Sequence, residues 1–203
     1  MIKAFMFSPA KIEFVAAGAV GNDTNPTLTV PAGYTAGNLL VIAVCSGAAV
    51  STPAGWSALI TSTASPRMYL FYKISSASES SVVLTASSNQ TSGVMLCYKG
   101  NGSAPADVTG TEKTGSSTSP ATNSLTTTGN DLVISIYGIA KTANTWTSPA
   151  STNERVKYDA TASYGGLLVV DEIQISAGAS TVRTATLGSS QGWTTNAQSF
   201  KPG

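Results

Sequence analysis

The chain has 203 residues, of which only 10% are charged, and its formal net charge is +1. A chain of this length can bury a substantial core as one domain or as two small halves, and its surface must consist largely of Ser, Thr, Asn, Gln, Gly and Ala. The scattered charges form no basic stripe, so we expect no nucleic-acid partner, and no apolar run approaches the ~20 residues that span a bilayer.

Residues 1–26 form an apolar N-terminal arm ahead of the first predicted strands. The arm contains Ile2, Phe5, Met6 and Phe7, and it is too short to fold alone, so we expect it to bury these side chains elsewhere. It pairs either as an extra strand on its own subunit, which we favour, or by strand addition on a neighbouring subunit. A proline and two charged residues interrupt its apolar run, so it does not resemble a signal peptide, and we expect synthesis in a cytosol.

Short apolar runs with the period of a β-strand follow along the rest of the chain, and no helical period persists for three turns. Clusters of Gly, Pro, Ser and Asn separate the runs, as is typical of turns. We predict strands at 39–45, 67–74, 81–85, 93–98, 132–139, 154–158, 165–175, 181–187 and 194–200. The pattern predicts an all-β fold, an antiparallel β-sandwich that is jelly-roll-like.

One sequence pattern occurs twice. GNLLVIAV at 37–44 resembles GNDLVISI at 129–136, at an offset of 92 residues, and Trp56 and Trp146 follow the two copies 90 residues apart. The repetition predicts a fold built from two pseudo-repeated halves.

The repeat also predicts the domain organisation. Residues 27–203 form a single sandwich domain, with a first repeat at about 27–100 and a second at about 130–203. The polar segment of about 100–129 would be a crossover that runs partly extended along the surface. Two separate domains of ~90 residues each are the alternative.

The residue types that usually carry catalysis are sparse. The chain has no histidine, which removes the commonest general base and most zinc sites. The candidate carboxylate pairs are Asp171 with Glu172 and Glu154 with Asp159, but the members of each pair would point to opposite faces of a strand. We therefore expect no enzyme, no cofactor and no metal site, and we interpret these carboxylates as solvated charges that protect strand edges.

Two residue types leave alternatives open. Cys45 and Cys97 lie in apolar runs, where free buried thiols are favoured over a disulfide. Trp56 and Trp146 occupy equivalent places in the repeat, which favours a repeated packing role over the stacking of a carbohydrate ligand.

Several short motifs resemble a β-sandwich domain of tailed-bacteriophage virion proteins. They are GNLLV at 37–41, PAGW at 53–56, LFYKI at 70–74, YKG at 98–100 and FKPG at 200–203. The family pattern has Asp where this chain has Asn38, and both residues suit the turn. The resemblance covers residues 27–203.

The resemblance implies a virion structural protein without catalytic residues. The first expectation is a capsid decoration or cement protein on the capsid surface, a homotrimer made in the host bacterial cytoplasm, whose partners are the major capsid protein and copies of itself. In that role Ile2, Phe5, Met6 and Phe7 would anchor on a neighbour. The alternative is a tail-fibre or tail-associated module that binds a carbohydrate receptor through Trp56 and Trp146.

Overall fold

The protein is an antiparallel β-sandwich. A computed structural model describes residues 11–86, 91–140, 142–163 and 165–203. Within those ranges the chain forms strands and turns without a helix, and all of its strand pairs are antiparallel. The predicted all-β class is confirmed.

Eight strands belong to the first half of the chain. They are β1 (Glu13–Ala17), β2 (Gly21–Asp23), β3 (Thr27–Leu28), β4 (Leu39–Ser46), β5 (Ser57–Thr61), β6 (Arg67–Ile74), β7 (Val82–Val83) and β8 (Thr91–Lys99). Ten strands follow in the second half. They are β9 (Asn101–Thr109), β10 (Lys113–Ser117), β11 (Thr126–Thr127), β12 (Asp131–Ile139), β13 (Trp146–Thr147), β14 (Asn153–Tyr158), β15 (Gly166–Gln174), β16 (Gly178–Ala179), β17 (Thr186–Leu187) and β18 (Gln191–Pro202).

Each half builds one six-stranded sheet with the same strand order. The first sheet runs β1-β8-β4-β6-β5, with β2 also paired to β8. The second runs β10-β18-β12-β15-β14, with β9 also paired to β18. A two-stranded sheet accompanies each of them, β3 with β7 and β11 with β16. The two pseudo-repeated halves predicted from the sequence are thus present as two similar sheets.

The two large sheets pack face to face. Strand β4 contacts β12 at the centre, β6 contacts β18, and β8 contacts β15. If each strand is replaced by its equivalent in the other half, the β6–β18 contact becomes the β8–β15 contact, and the β4–β12 contact stays the same. This is the pattern of two halves related by an approximate two-fold rotation about an axis parallel to the strands.

The structure corrects the alignment of the repeat by one residue. Gly37 has a positive φ angle of 90° at the turn that precedes the central strand, and both of its possible counterparts, Gly129 and Asn130, also have positive φ angles, 103° and 58°. Leu39 and Leu132 then both enter the core between the two sheets. The equivalent residues are therefore 93 positions apart, and the offset of 92 was wrong, because a shift of one residue in a strand moves every side chain to the opposite face.

Both faces of the central strands are buried. Alternate residues of β4 enter the core between the sheets, and the others enter an outer core that covers the far side of the first sheet. The outer core of the second half is built in the same way around β12 and β15. This double burial explains the continuous apolar run that begins at Leu39, and its eight strand residues are all buried.

The two segments outside the predicted repeats contribute strands to the sheets. In the N-terminal arm, β1 and β2 pair with β8 of their own sheet. In the segment predicted as a crossover, β9 and β10 pair with β18 at the edge of the second sheet. By position these strands are the second-half counterparts of β1 and β2.

Candidate functional site

The proposed N-terminal anchor residues cannot be placed. Ile2, Phe5, Met6 and Phe7 lie outside the described residues. The description begins at Lys11, and Ile12 is already buried in the core between the sheets.

The two tryptophans of the repeat are buried in equivalent positions. Trp56 is 9% exposed and packs in the outer core of the first half, and Trp146 is 3% exposed and packs in that of the second. Their surroundings differ, since the Lys73 ammonium lies 5.6 Å from the centre of the Trp56 ring, whereas Tyr137 packs edge-on against Trp146. Neither ring offers an open face to a sugar.

Trp193 has a different role. Its indole N–H donates to Ser117 Oγ at 3.1 Å, and its ring lies against Gly115 on the neighbouring strand β10. The side chain is buried in the outer core of the second half. Trp193 therefore stabilises the pairing of the edge strand β10 with β18.

A polar hollow lies beside Trp56. The Lys73 ammonium donates to Glu79 at 2.6 Å, and Glu79 also accepts hydrogen bonds from the backbone N–H and the hydroxyl of Ser76. Burial raises the pKa of Glu79, but the hydrogen bonds from Lys73 and Ser76 outweigh it and hold that pKa below its ordinary value. The charges in this hollow are thus neutralised within the protein.

A polar cluster crosses the core between the sheets. Tyr98 of β8 donates its hydroxyl proton to Asp171 of β15 at 3.0 Å. The same carboxylate accepts from Arg155 at 2.6 Å and from Asn153 at 3.0 Å. The guanidinium of Arg155 lies 4.2 Å from the ring centre of Phe14 on β1. Burial, followed by the carboxylate of Asp171, raises the pKa of Tyr98 well above its ordinary value, so the phenol stays a donor.

The carboxylates singled out in the sequence are separated as expected. Asp171 points into this cluster between the sheets, whereas Glu172 points outward and is bound by Arg183. Glu154 accepts a hydrogen bond from Ser148, and Asp159 accepts one from the backbone of Trp146. Asp171 is only 2% exposed, so interpreting it as a solvated edge charge was wrong. Its partner Tyr98 is distant in sequence, and no local pattern indicates the contact.

The two cysteines are free and buried on opposite faces of the first sheet. Cys45 donates weakly to the carbonyl of Ile139 at 3.6 Å, and burial raises its pKa to about 12. Burial raises the pKa of Cys97 to about 11. The prediction of free thiols is confirmed.

The sheets end in edge strands that could pair with another chain. Strands β5 and β14 occupy equivalent outer positions, and each carries an irregularity in its pairing register, between Ala58 and Ile60 and between Glu154 and Val156. Bulges of this kind twist an edge and limit indiscriminate pairing.

The described residues contain neither a metal-binding group of side chains nor a membrane-spanning helix. No group of three His, Cys, Asp or Glu side chains there could hold a metal ion. The same part of the chain contains no helix long and apolar enough to cross a membrane. Comparisons of the chain with known protein families, with curated proteins and with solved structures returned no match.

Proposed function

We propose that the protein is a bacteriophage virion structural protein, a capsid decoration protein that binds the outer capsid surface and bridges neighbouring subunits. The motif resemblance supports this role, and so does the all-β sandwich. The partners proposed are the major capsid protein and two further copies of the chain. The protein would be made in the host cytoplasm and act in the virion.

One observation carries the proposal: the chain has few charged side chains, and about half of them are paired with each other. Five ion pairs within the described residues join five of the 11 basic side chains to five of the 10 acidic ones. The outer surface is therefore polar and only lightly charged. Such a surface binds through shape, hydrogen bonds and strand pairing, and its contacts persist where salt would screen surface ion pairs.

The strand edges provide the means to bridge. Strands β1 and β5 bound the first sheet, and β10 and β14 bound the second. A protein that offers unpaired edges on two sheets can contact two neighbours at once. The register irregularities of β5 and β14 would then favour a partner whose strand matches the bulged edge, and would disfavour pairing with any extended chain.

The N-terminal anchor can be tested on capsids that lack the protein. A variant with Ile2, Phe5, Met6 and Phe7 replaced by Ser is expected to lose capsid occupancy, because it loses the apolar side chains that would be buried on a neighbour. Removal of residues 1–8 should have the same effect. A Lys3→Ala variant serves as the control and should bind as the parent does. Occupancy is measured by gel densitometry after sedimentation, and unchanged occupancy of both anchor variants, with unchanged thermal unfolding, would refute the anchor.

The lightly charged surface gives a second test, independent of the arm. Binding of the intact protein to capsids should change less than ~3-fold between 0.1 M and 1 M NaCl, where the Debye length falls from ~10 Å to ~3 Å. A loss of 100-fold or more would show that surface ion pairs carry the contact.

The number of copies distinguishes capsid from tail. Hundreds of copies in each virion would place the protein on the capsid, and a handful would place it in the tail. The carbohydrate-binding alternative depended on open rings at Trp56 and Trp146, and their burial removes that support.

A further inference from the structure

We propose that the inner face of the first half is self-complementary and can bind a second copy of the same half, whereas the inner face of the second half fits only the first. The first half is taken as residues 1–100 and the second as residues 101–203. The inner face of a half is the face of its six-stranded sheet that packs against the other sheet. The proposal does not depend on the function proposed above.

The approximate two-fold axis pairs residues of the two halves. Tyr98 and Phe200 lie opposite the first core residues of β4 and β12, and Tyr72 and Asp171 lie opposite the next core residues of those strands. The hydrogen bond of Tyr98 to Asp171 at 3.0 Å is therefore the counterpart of the edge-to-face contact of Phe200 with Tyr72, whose ring centres are 6.1 Å apart. The two symmetry-related contacts therefore differ in kind: that of Tyr98 with Asp171 is polar, and that of Phe200 with Tyr72 is aromatic.

Pairing of two first halves about the same axis would make both of these contacts aromatic, although Ser92 would lose the Gly165 carbonyl to which it donates at 2.8 Å. Tyr98 would face Tyr72, as Phe200 does in the chain. Leu59 holds the position on β5 that Arg155 holds on β14, so the ring of Phe14 would meet Leu59 instead of a guanidinium. The hydroxyl of Tyr98 would lose Asp171 as its acceptor, but no charge would be buried.

Pairing of two second halves would leave the ion pair of Arg155 with Asp171, which lies within the second half, among apolar side chains. Phe200 would face Asp171, and the carboxylate would lose the hydroxyl that Tyr98 supplies. Arg155 would face Ala106 in place of an aromatic ring, since Ala106 pairs with β18 where Phe14 pairs with β8. Each loss would occur twice in a symmetric dimer, and a buried ion pair that has lost part of its polar and aromatic surroundings opposes association.

The inner residues of β8 and β18 extend the same difference. Val94 and Leu96 of β8 are apolar, whereas the equivalent residues of β18 are Asn196 and Gln198. Two first halves would therefore pack these strands against apolar neighbours, but two second halves would bring two sets of buried amides into the contact. The asymmetry is spread along the strand and does not depend on Asp171 alone.

The experiment uses the whole chain, folded before it is cut. A flexible linker with a protease site is inserted between Gly100 and Asn101, the folded protein is cleaved, and the halves are allowed to exchange in mild urea. Native mass spectrometry after the urea is removed measures the three possible pairs. We expect the dimer of first halves to be at least ~10-fold more abundant than the dimer of second halves, because only the second buries an ion pair against apolar side chains. Equal abundance, or recovery of the mixed pair alone after full exchange, would overturn the proposal.

A matched variant tests the cause. Asp171→Tyr with Arg155→Leu gives the second half the residues of the first at these two positions. In the cleaved protein, this variant should raise the abundance of the dimer of second halves at least ~3-fold over the unsubstituted protein, with Glu154→Gln as a control that leaves it unchanged. No increase would show that the polar cluster does not select the partner.

A measurement on the uncut chain keeps the proposal testable if the linker prevents folding. Asp171→Tyr with Arg155→Leu imitates the contact of two first halves, and Tyr98→Phe with Phe14→Ala imitates that of two second halves. The first pair of substitutions should leave a single cooperative thermal transition. The second pair should lower the midpoint of thermal unfolding by more than the first pair does. The opposite order of midpoints would contradict the proposal.

Discussion

Asn38 and Asp131 hold the same position in the two halves and make the same contact. The side-chain oxygen of Asn38 accepts the backbone N–H of Thr35 at 2.7 Å, and that of Asp131 accepts the backbone N–H of Thr128 at 2.9 Å. Each residue thus closes the turn that starts the central strand of its sheet. The aspartate that the virion-protein motif has at the first copy stands in the second copy of this chain.

The equivalence predicts that Asp131 can be exchanged for its counterpart. Asp131→Asn should change the free energy of unfolding by less than ~1 kcal/mol, because the amide oxygen can still accept the hydrogen bond and no buried charge is needed. Asp131→Ala removes the acceptor and should cost ~1–3 kcal/mol. Urea unfolding measures both, and equal losses in the two variants would show that the charge matters more than the turn.

The buried tryptophans predict large losses of stability. Trp146→Ala and Trp56→Ala should each lower the free energy of unfolding by ~3–5 kcal/mol, because each leaves a cavity in an outer core. Val83→Ala is the control, since this side chain is 60% exposed and should matter by less than ~0.5 kcal/mol. A loss under ~1 kcal/mol for either tryptophan in urea unfolding would contradict the packing role.

The contact of Trp193 with Gly115 predicts a steric effect on the edge strand β10. A Cβ at Gly115 would lie 2.4 Å from an atom of the Trp193 ring, so Gly115→Ala should cost ~1–3 kcal/mol of stability. Gly192→Ala is the matched control on the facing strand, where an added Cβ meets nothing within 4 Å. Chemical denaturation compares the two, and indistinguishable variants would mean that β10 moves freely to relieve the clash.

The buried thiols and the buried phenol predict alkaline instability. The pKa of Cys45 is raised from 9.0 to about 12 and that of Cys97 to about 11, while burial also raises that of Tyr98. Because the unfolded chain ionises first, the stabilisation is complete below pH 9 and is lost as the pH rises toward the folded-state values. Each group contributes a slope of about 1.4 kcal/mol per pH unit in that range.

The substitution Cys45→Ala separates the thiol contribution from the rest. Its free energy of unfolding should fall less steeply between pH 9 and pH 11 than that of the parent, although its stability at pH 7 is lower. Urea unfolding across this range gives the slopes, and parallel curves would exclude Cys45 as a source of the alkaline loss.

The sequence predicted best those strands whose two faces are both apolar. The strand predicted at 67–74 agrees with β6 at both ends, and the apolar run at 39–45 agrees with β4 to within one residue. These strands lie at or next to the centre of the first sheet, where burial on both sides requires apolar residues throughout. The run at 181–187, by contrast, forms a strand only at Thr186–Leu187.

The edge strands β9 and β10 of the second sheet could not be predicted. Strands β9 and β10 contain mostly Ser, Thr, Gly and Ala, and their exposed side chains give no alternating pattern. Their pairing depends on β18, about 80 to 100 residues further along the chain. The polar cluster of Tyr98 and Asp171 was missed for the same reason, because only the stacking of the two sheets brings these residues together.

The separation of the two sheets along the chain has a consequence for synthesis on the ribosome. Every strand of the first sheet has been made by Lys99, before any strand of the second exists. At 5–20 residues per second, the nascent chain needs roughly 5–20 s more to supply the facing sheet. During that interval the apolar inner surface of the first sheet has no cover of its own, so neighbouring nascent chains on a crowded polysome are exposed to one another at that surface.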